Sequence, residues 1–346
     1  MVKNTAIIYH EDYLKHKQFR SHPERMERLV ETLSLFRIKG IFKSAELLKP
    51  EPATDADLLR VHTKKHIDCI KELSFLGGGM LTADTAVNSN TYEIAKLAAG
   101  GVMLAGESVI SEKYKNSFAL VRPPGHHATR YKGMGFCYFN NVAVMIEYLK
   151  EKYNLKKILI LDWDAHAANG TMEIFYSDNS VLNISIHQDP YTFYPGTGFI
   201  EQTGKGKGEG YTVNIPVSEC TSDADYVYIL KNFVIPIAES FKPELIVISS
   251  GIDSHKEDYI SGLCLTKQGY GVMTNLMKDA AEKLCNGKMV VELEGGYNLK
   301  ALSESNLEIV KSLLGVSQAK VTGQPRAETT ALVNELKEKF SKYHGI

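Results

Sequence analysis

Ile158-Leu159-Ile160-Leu161-Asp162-Trp163-Asp164-Ala165-His166-Ala167-Ala168-Asn169-Gly170 is the stretch that decides the fold. Four consecutive apolar residues running into acids and a histidine predict a buried parallel strand with chemistry at its carboxyl end. In open α/β sheets ligands bind beyond those carboxyl ends, where the loops leaving the strands form a crevice. Side chains two apart on extended backbone point the same way, so Asp162, Asp164 and His166 are expected on one face. A carboxylate and an imidazole converging there supply two of the three protein ligands of a catalytic zinc site.

Similar apolar segments recur at Ala6–Tyr9, Ser117–Val121, Val181–Ile186, Leu245–Ser249 and Met289–Leu293. Amphipathic stretches lie between them, at Thr91–Ser111, Val142–Lys152, Tyr226–Phe241 and Gln268–Cys285. Alternation of this kind predicts one α/β domain in three layers, a mostly parallel sheet covered by helices on both faces. Gly77-Gly78-Gly79 and Lys205–Gly210 read as flexible loops, and the last ~25 residues as a surface helix.

Composition narrows the class. The 346 residues are 44% hydrophobic and carry a net charge of −1, which argues against nonspecific nucleic-acid binding, a role that needs a strong basic excess. The five cysteines are widely spaced with no C-x-x-C pair, so reduced thiols in a cytoplasmic protein are expected rather than a disulfide framework. The start of the chain lacks the apolar core of a signal peptide, and no apolar stretch approaches the ~18 residues that span a membrane.

The remaining ligand has a candidate in Leu245–Ser250-Gly251-Ile252-Asp253, another buried strand ending in an acid. Parallel neighbours present their carboxyl ends together, so Asp253 can meet Asp164 and His166 and leave a neutral Zn²⁺ centre with open coordination. Val121-Arg122-Pro123-Pro124-Gly125-His126-His127 ends a further strand in a stiff turn bearing two histidines, suited to removing a proton from a metal-activated water. Asp162 and Asn169 are natural orienting partners for the two rings. Glu294-Gly295-Gly296-Tyr297 supplies a phenol able to donate to a developing oxyanion. Phe136 and Tyr194, on Gly-rich loops, are expected to wall a narrow tunnel.

Taken in order, these motifs resemble the histone deacetylase family, which includes acetylpolyamine amidohydrolases and acetoin-utilisation proteins. The resemblance rests on Arg122–Ala128, Gly135-Phe136-Cys137 with Phe139-Asn140-Asn141, Asp162-Trp163-Asp164 with His166, Phe193–Gly198, Gly251-Ile252-Asp253 and Glu294–Asn298. His22-Pro23-Glu24-Arg25 extends it toward the start, and Leu293–Tyr297 is similar to the class II branch.

The resemblance implies an arginase/deacetylase-like sheet of about eight strands, a deacetylase domain over residues 1–315, and a helical extension over 316–346 packed on or near it. It implies a zinc-dependent deacetylase acting on acetyl-lysine in proteins or on acetylpolyamines. Asp164, His166 and Asp253 would bind Zn²⁺, and His127 would act as general base. His126, supported by Asp162, would tune the site, and Tyr297 would stabilise the oxyanion. Gly135, Phe136, Tyr194, Ile260 and Asp84 would contact substrate, and Arg28 would lie in a cavity beneath the metal. A K⁺ ion would use Asp162, Asp164 and Ser185. The resemblance also allows a homo-oligomer and calls for no direct nucleic-acid or membrane partner.

The chain departs from the family's usual His-Gly-Asn-Gly-Thr after the ligating histidine, reading Ala167-Ala168-Asn169-Gly170-Thr171. Ala167 is expected to point away from the metal, so the departure bears on packing behind it, and the alternative reading is a member with weakened turnover acting as a binding module or scaffold. Asp164-Ala165-His166-Ala167-Ala168 lacks the last carboxylate of a two-Mn²⁺ arginase centre and Asp253-Ser254-His255 lacks the second, which disfavours guanidine hydrolysis.

Overall fold

The computed structural model describes residues 3–19 and 21–346. Ten strands are present among them: β1 (Lys3–Ile8), β2 (Glu46–Leu48), β3 (Gly78–Thr82), β4 (Thr85–Asn88), β5 (Tyr114–Ala119), β6 (Ile158–Asp162), β7 (Val181–Gln188), β8 (Thr212–Val217), β9 (Leu245–Ser250) and β10 (Met289–Leu293). Eight form one sheet in the order β2-β1-β5-β10-β9-β6-β7-β8, and every pairing in it is parallel. The expected α/β architecture with an eight-stranded parallel sheet is therefore observed.

Neighbouring residues of β5 show how both faces are covered. Asn116 Nδ2 donates to the Leu313 carbonyl of the helix Leu299–Leu313, while Ser117 Oγ donates to the Ala105 carbonyl of the helix Thr91–Ile110. Successive strand residues face opposite ways, so these two helices lie on opposite sides of the sheet. Every residue of β6, β7, β9 and β10 is buried, as strands covered on both faces are.

Two local readings need correction. Tyr226–Phe241 is not one helix but two, Asp223–Ile229 and Ile235–Phe241, joined by a π-helical turn over Leu230–Val234. Pro236 has no N–H to continue an α ladder, and the wider turn absorbs that defect. Gly78 and Gly79 belong to β3, which pairs with β4 as an antiparallel hairpin rather than remaining a loop. The two edge strands β2 and β8 are additions: β2 is three residues long, and β8 carries Pro216, which an edge tolerates.

The C-terminal helix Ala327–His344 buries Val333, Leu336 and Phe340 against the body. No helix among the described residues is long and apolar enough to cross a membrane.

Candidate active site

β5, β10, β9 and β6 are consecutive in the sheet, and the segments leaving their carboxyl ends carry the His pair, Tyr297, Asp253 and the Asp162–His166 run. Strand adjacency thus brings together residues as far apart as 126 and 297 in sequence. Asp164 Oδ1 lies 2.9 Å and Asp253 Oδ2 3.0 Å from His166 Nδ1. The remaining oxygens are fixed by backbone: Asp164 Oδ2 accepts from Gly295 N–H and Asp253 Oδ1 from Ala165 N–H, each at 2.9 Å.

These donors suit a metal ion. One ligand atom from each of Asp164, His166 and Asp253 lies within 4.8 Å of the others. Tetrahedral zinc with bonds of 2.0–2.1 Å separates its ligands by about 3.3 Å, close to the spacing found. Apart from the His166 nitrogen, the buried Asp253 Oδ2 has no partner, and burial together with the facing Asp164 carboxylate pushes Asp253 up to about 7. Two buried carboxylates in contact need a cation to offset their desolvation.

A second group, His126, Cys137 and Glu294, is equally close but already committed. Glu294 Oε2 accepts from Gly125 N–H at 2.7 Å and His126 N–H at 3.2 Å, and burial drives the Cys137 thiol well up. It holds the turn rather than an ion.

The two histidines have different partners. His126 Nδ1 is 3.0 Å from Asp162 Oδ2, and His127 Nδ1 is 2.6 Å from Asn169 Oδ1. Burial disfavours the charge on both rings. For His126 the Asp164 and Asp162 carboxylates outweigh burial and hold it well above the ordinary imidazole range. For His127 burial wins, with the charges of His126 and His166 adding to it, so this ring stays neutral.

A cavity of about 110 Å³ opens over these groups, lined among others by Asp84, His126, His127, Gly135, Phe136, His166, Tyr194, Ile260 and Tyr297. Phe136 meets Tyr297 edge-to-face at 5.8 Å, and Tyr194 meets His127 at 5.1 Å. Gly135 has φ +56°, and a Cβ there would come within 2.4 Å of His127 Cδ2. Only glycine allows that approach. Asp84 Oδ1 is pinned at the rim by the hydroxyls of Thr82 and Thr85. The Arg28 guanidinium lies 5.2 Å from the Tyr297 ring centroid and donates to the carbonyls of Gly296 and Glu294. Ser185 stands opposite Asp162 in the β6–β7 register, outside the cavity, with its hydroxyl 2.8 Å from His187 Nδ1.

Comparison with known proteins identifies the family. The model of the histone deacetylase domain family matches residues 22–313. The chain belongs to the histone deacetylase family. Membership places it among deacetylases and amidohydrolases, hydrolases of amide bonds. A probable deacetylase of Archaeoglobus fulgidus is 46% identical over 90% of this chain and 86% of that one. A histone deacetylase-like amidohydrolase of Pseudomonas aeruginosa is 37% identical over 86% of this chain and 78% of that one. Histone deacetylase 15 of Arabidopsis thaliana is 40% identical, and the chain spans 57% of its length. The crystal structure of the HDA15 HD domain superposes with a TM-score of 0.92 at 36% identity, covering 99% of this chain and 96% of that one.

Several supporting residues of this deacetylase fold escaped the sequence reading. Glu294 was visible only as part of Glu-Gly-Gly-Tyr, yet its carboxylate shapes the His126-His127 turn. Asp258 Oδ2 accepts from the N–H groups of Tyr297 at 2.5 Å and Asn298 at 2.9 Å, fixing the phenol's backbone. Phe193 stacks on His166 at 4.6 Å. Glu24 ties the start of the domain to the site: Oε1 accepts from Arg122 Nε at 2.6 Å and Arg28 Nη1 at 3.2 Å. Its place in His-Pro-Glu-Arg was a signal of the family but not of this role.

Proposed function

We propose that this deacetylase is a zinc-dependent amidohydrolase removing acetyl or other acyl groups from amines such as acetyl-lysine in proteins or acetylpolyamines. The observation that carries the reading is one narrow cavity lined by His127, His166 and Tyr297, with Asp164 and Asp253 grouped on His166 at its floor. Asp164, His166 and Asp253 would hold the ion, which when bound supplies a Lewis acid for the acyl carbonyl and for water.

The protein groups then divide the work. Asn169 Oδ1 faces His127 Nδ1, so that nitrogen carries the proton and Nε2 is left free to accept one from water. A neutral, buried His127 suits a base, and once protonated it is the acid for the departing amine. His126 stays charged on Asp162 and adds a fixed positive field beside the reacting carbonyl. The Tyr297 phenol, pushed far above its ordinary range by burial, keeps its proton and donates it as a hydrogen bond to the oxygen that gains charge. Phe136 and Tyr194 exclude water around an aliphatic chain, Ile260 adds apolar wall, and Asp84 at the rim is placed to accept from substrate N–H groups.

A K⁺ ion near Asp162, Asp164 and Ser185 is part of the proposal, as is action in the cytoplasm without nucleic-acid or membrane partners. Side-by-side assay of acyl-lysine peptides and acylpolyamines with added Zn²⁺ tests it. Turnover of at least one class, abolished with His127→Ala, is expected; no turnover of either contradicts the reading.

A further inference from the structure

Two cysteines outside the candidate active site lie on adjoining segments. The turn after β8 carries Cys220, and the loop after β9 carries Cys264. Cys220 N–H donates to the Gly262 carbonyl at 2.8 Å, and Cys264 N–H donates to the Thr221 carbonyl at 2.9 Å. Ser222 and Cys264 pair as a parallel bridge, so the two stretches run side by side. Burial raises the Cys264 thiol, and the adjoining Cys220 thiol raises it further. Cys220 is exposed and Cys264 half-buried.

Arg326 fixes the turn that carries Cys220. Arg326 Nη1 donates to the Glu219 carbonyl at 3.1 Å, and Nη2 donates to Ser218 Oγ at 3.0 Å and to Thr221 Oγ1. Cys220 itself sits at φ +60°, a conformation uncommon outside glycine. On the other side of the contact, the loop reaching back from Cys264 contributes Ile260 to the cavity wall. Ser261 Oγ donates to the Asp253 carbonyl at 2.6 Å, Gly262 N–H donates to Gln188 Oε1 at 2.7 Å, and Ile260 lines the cavity.

We propose that Cys220 and Cys264 form a reversible disulfide that fastens the 254–265 loop to the turn after β8 under oxidising conditions. The co-reactant is a low-molecular-weight disulfide. The exposed Cys220, as thiolate, attacks one sulfur of the oxidant and releases one small thiol, giving a mixed disulfide. Cys264, as thiolate, then attacks the Cys220 sulfur and releases the second small thiol. The protein pair loses two electrons and two protons, and the oxidant leaves as two thiols.

The full chain treated with glutathione disulfide or with dithiothreitol tests this by non-reducing peptide mapping and amide hydrogen exchange. The expected result is one cross-linked peptide joining Cys220 to Cys264, reversed by dithiothreitol, with slower exchange across 254–265 in the oxidised form. Cys220→Gly, which suits the positive φ, removes the cross-link and leaves basal turnover unchanged; Cys264→Ser leaves Cys220 as a stable mixed disulfide. A wild-type protein that stops at the mixed disulfide, that bridges through Cys69 instead, or whose bridge leaves exchange across 254–265 unaltered would overturn the proposal.

Discussion

Ala167 marks where this chain leaves its family's usual run, and its surroundings place the change away from the proposed metal ligands. A Cβ built on Gly198 would lie 2.5 Å from Ala167 Cβ and 2.7 Å from His187 Nε2, so Ala167 faces Gly198 and His187 rather than the Asp164–His166–Asp253 group. At the cavity itself, Tyr297→Phe removes the oxyanion donor and keeps the ring contact with Phe136. Its kcat is expected to fall by about 10²–10³ with little change in KM, measured by steady-state deacylation. Gly135→Ala forces a Cβ onto His127 at a positive φ; turnover should drop at least as far while circular dichroism stays native. The candidate ligands, both histidines and the phenol were legible in the sequence because each follows an apolar strand directly. Asp258 and Glu294 were not, since each acts by accepting backbone N–H groups from a segment 39 or about 170 residues away. No local pattern encodes such a pairing.

Elements whose burial is complete announced themselves, and those at the margins did not. β6, β9 and β10 read as apolar runs, whereas β8 mixes Thr212, Asn214 and Pro216 with its apolar residues because it sits at the sheet edge. The β3–β4 hairpin was hidden by its glycines, and the π turn by an amphipathic pattern that continues across Pro236. Between elements, Glu24 joins the helix Glu27–Ile38 to the loop after β5 by holding Arg28 and Arg122, all three fully buried. Burial opposes its charge, but the two guanidiniums prevail and lower it to about 2. A depressed carboxylate stabilises the fold fully above its unfolded value of about 4.3 and loses that contribution as pH falls toward 2. Glu24→Gln should therefore cost about 3–5 kcal/mol in urea unfolding at pH 7, with a shallower loss of stability between pH 5 and 2 than the wild type. A wild-type slope in that window would show that the ion pair contributes nothing.

At the scale of the whole molecule, one parallel sheet places four consecutive strand ends beneath a single crevice, and the chemistry follows from that convergence. The sheet and its crevice were legible from strand–helix alternation; which residues of the helix Ala327–His344 are buried, Val333, Leu336 and Phe340, was not, because its composition reads as a solvent-facing helix. If the Asp164–Asp253 repulsion is offset by a bound ion, removing that ion should destabilise the crevice as well as stop turnover. Chelation is expected to lower Tm by several degrees, with recovery on adding Zn²⁺. The most direct test is deacylation of a fluorogenic acetyl-lysine substrate by metal-stripped protein titrated with Zn²⁺, beside Asp253→Ala. Activity should rise to a plateau at one Zn²⁺ per chain and stay absent in Asp253→Ala. Full turnover in the stripped protein, or equal turnover in the variant, would contradict the account.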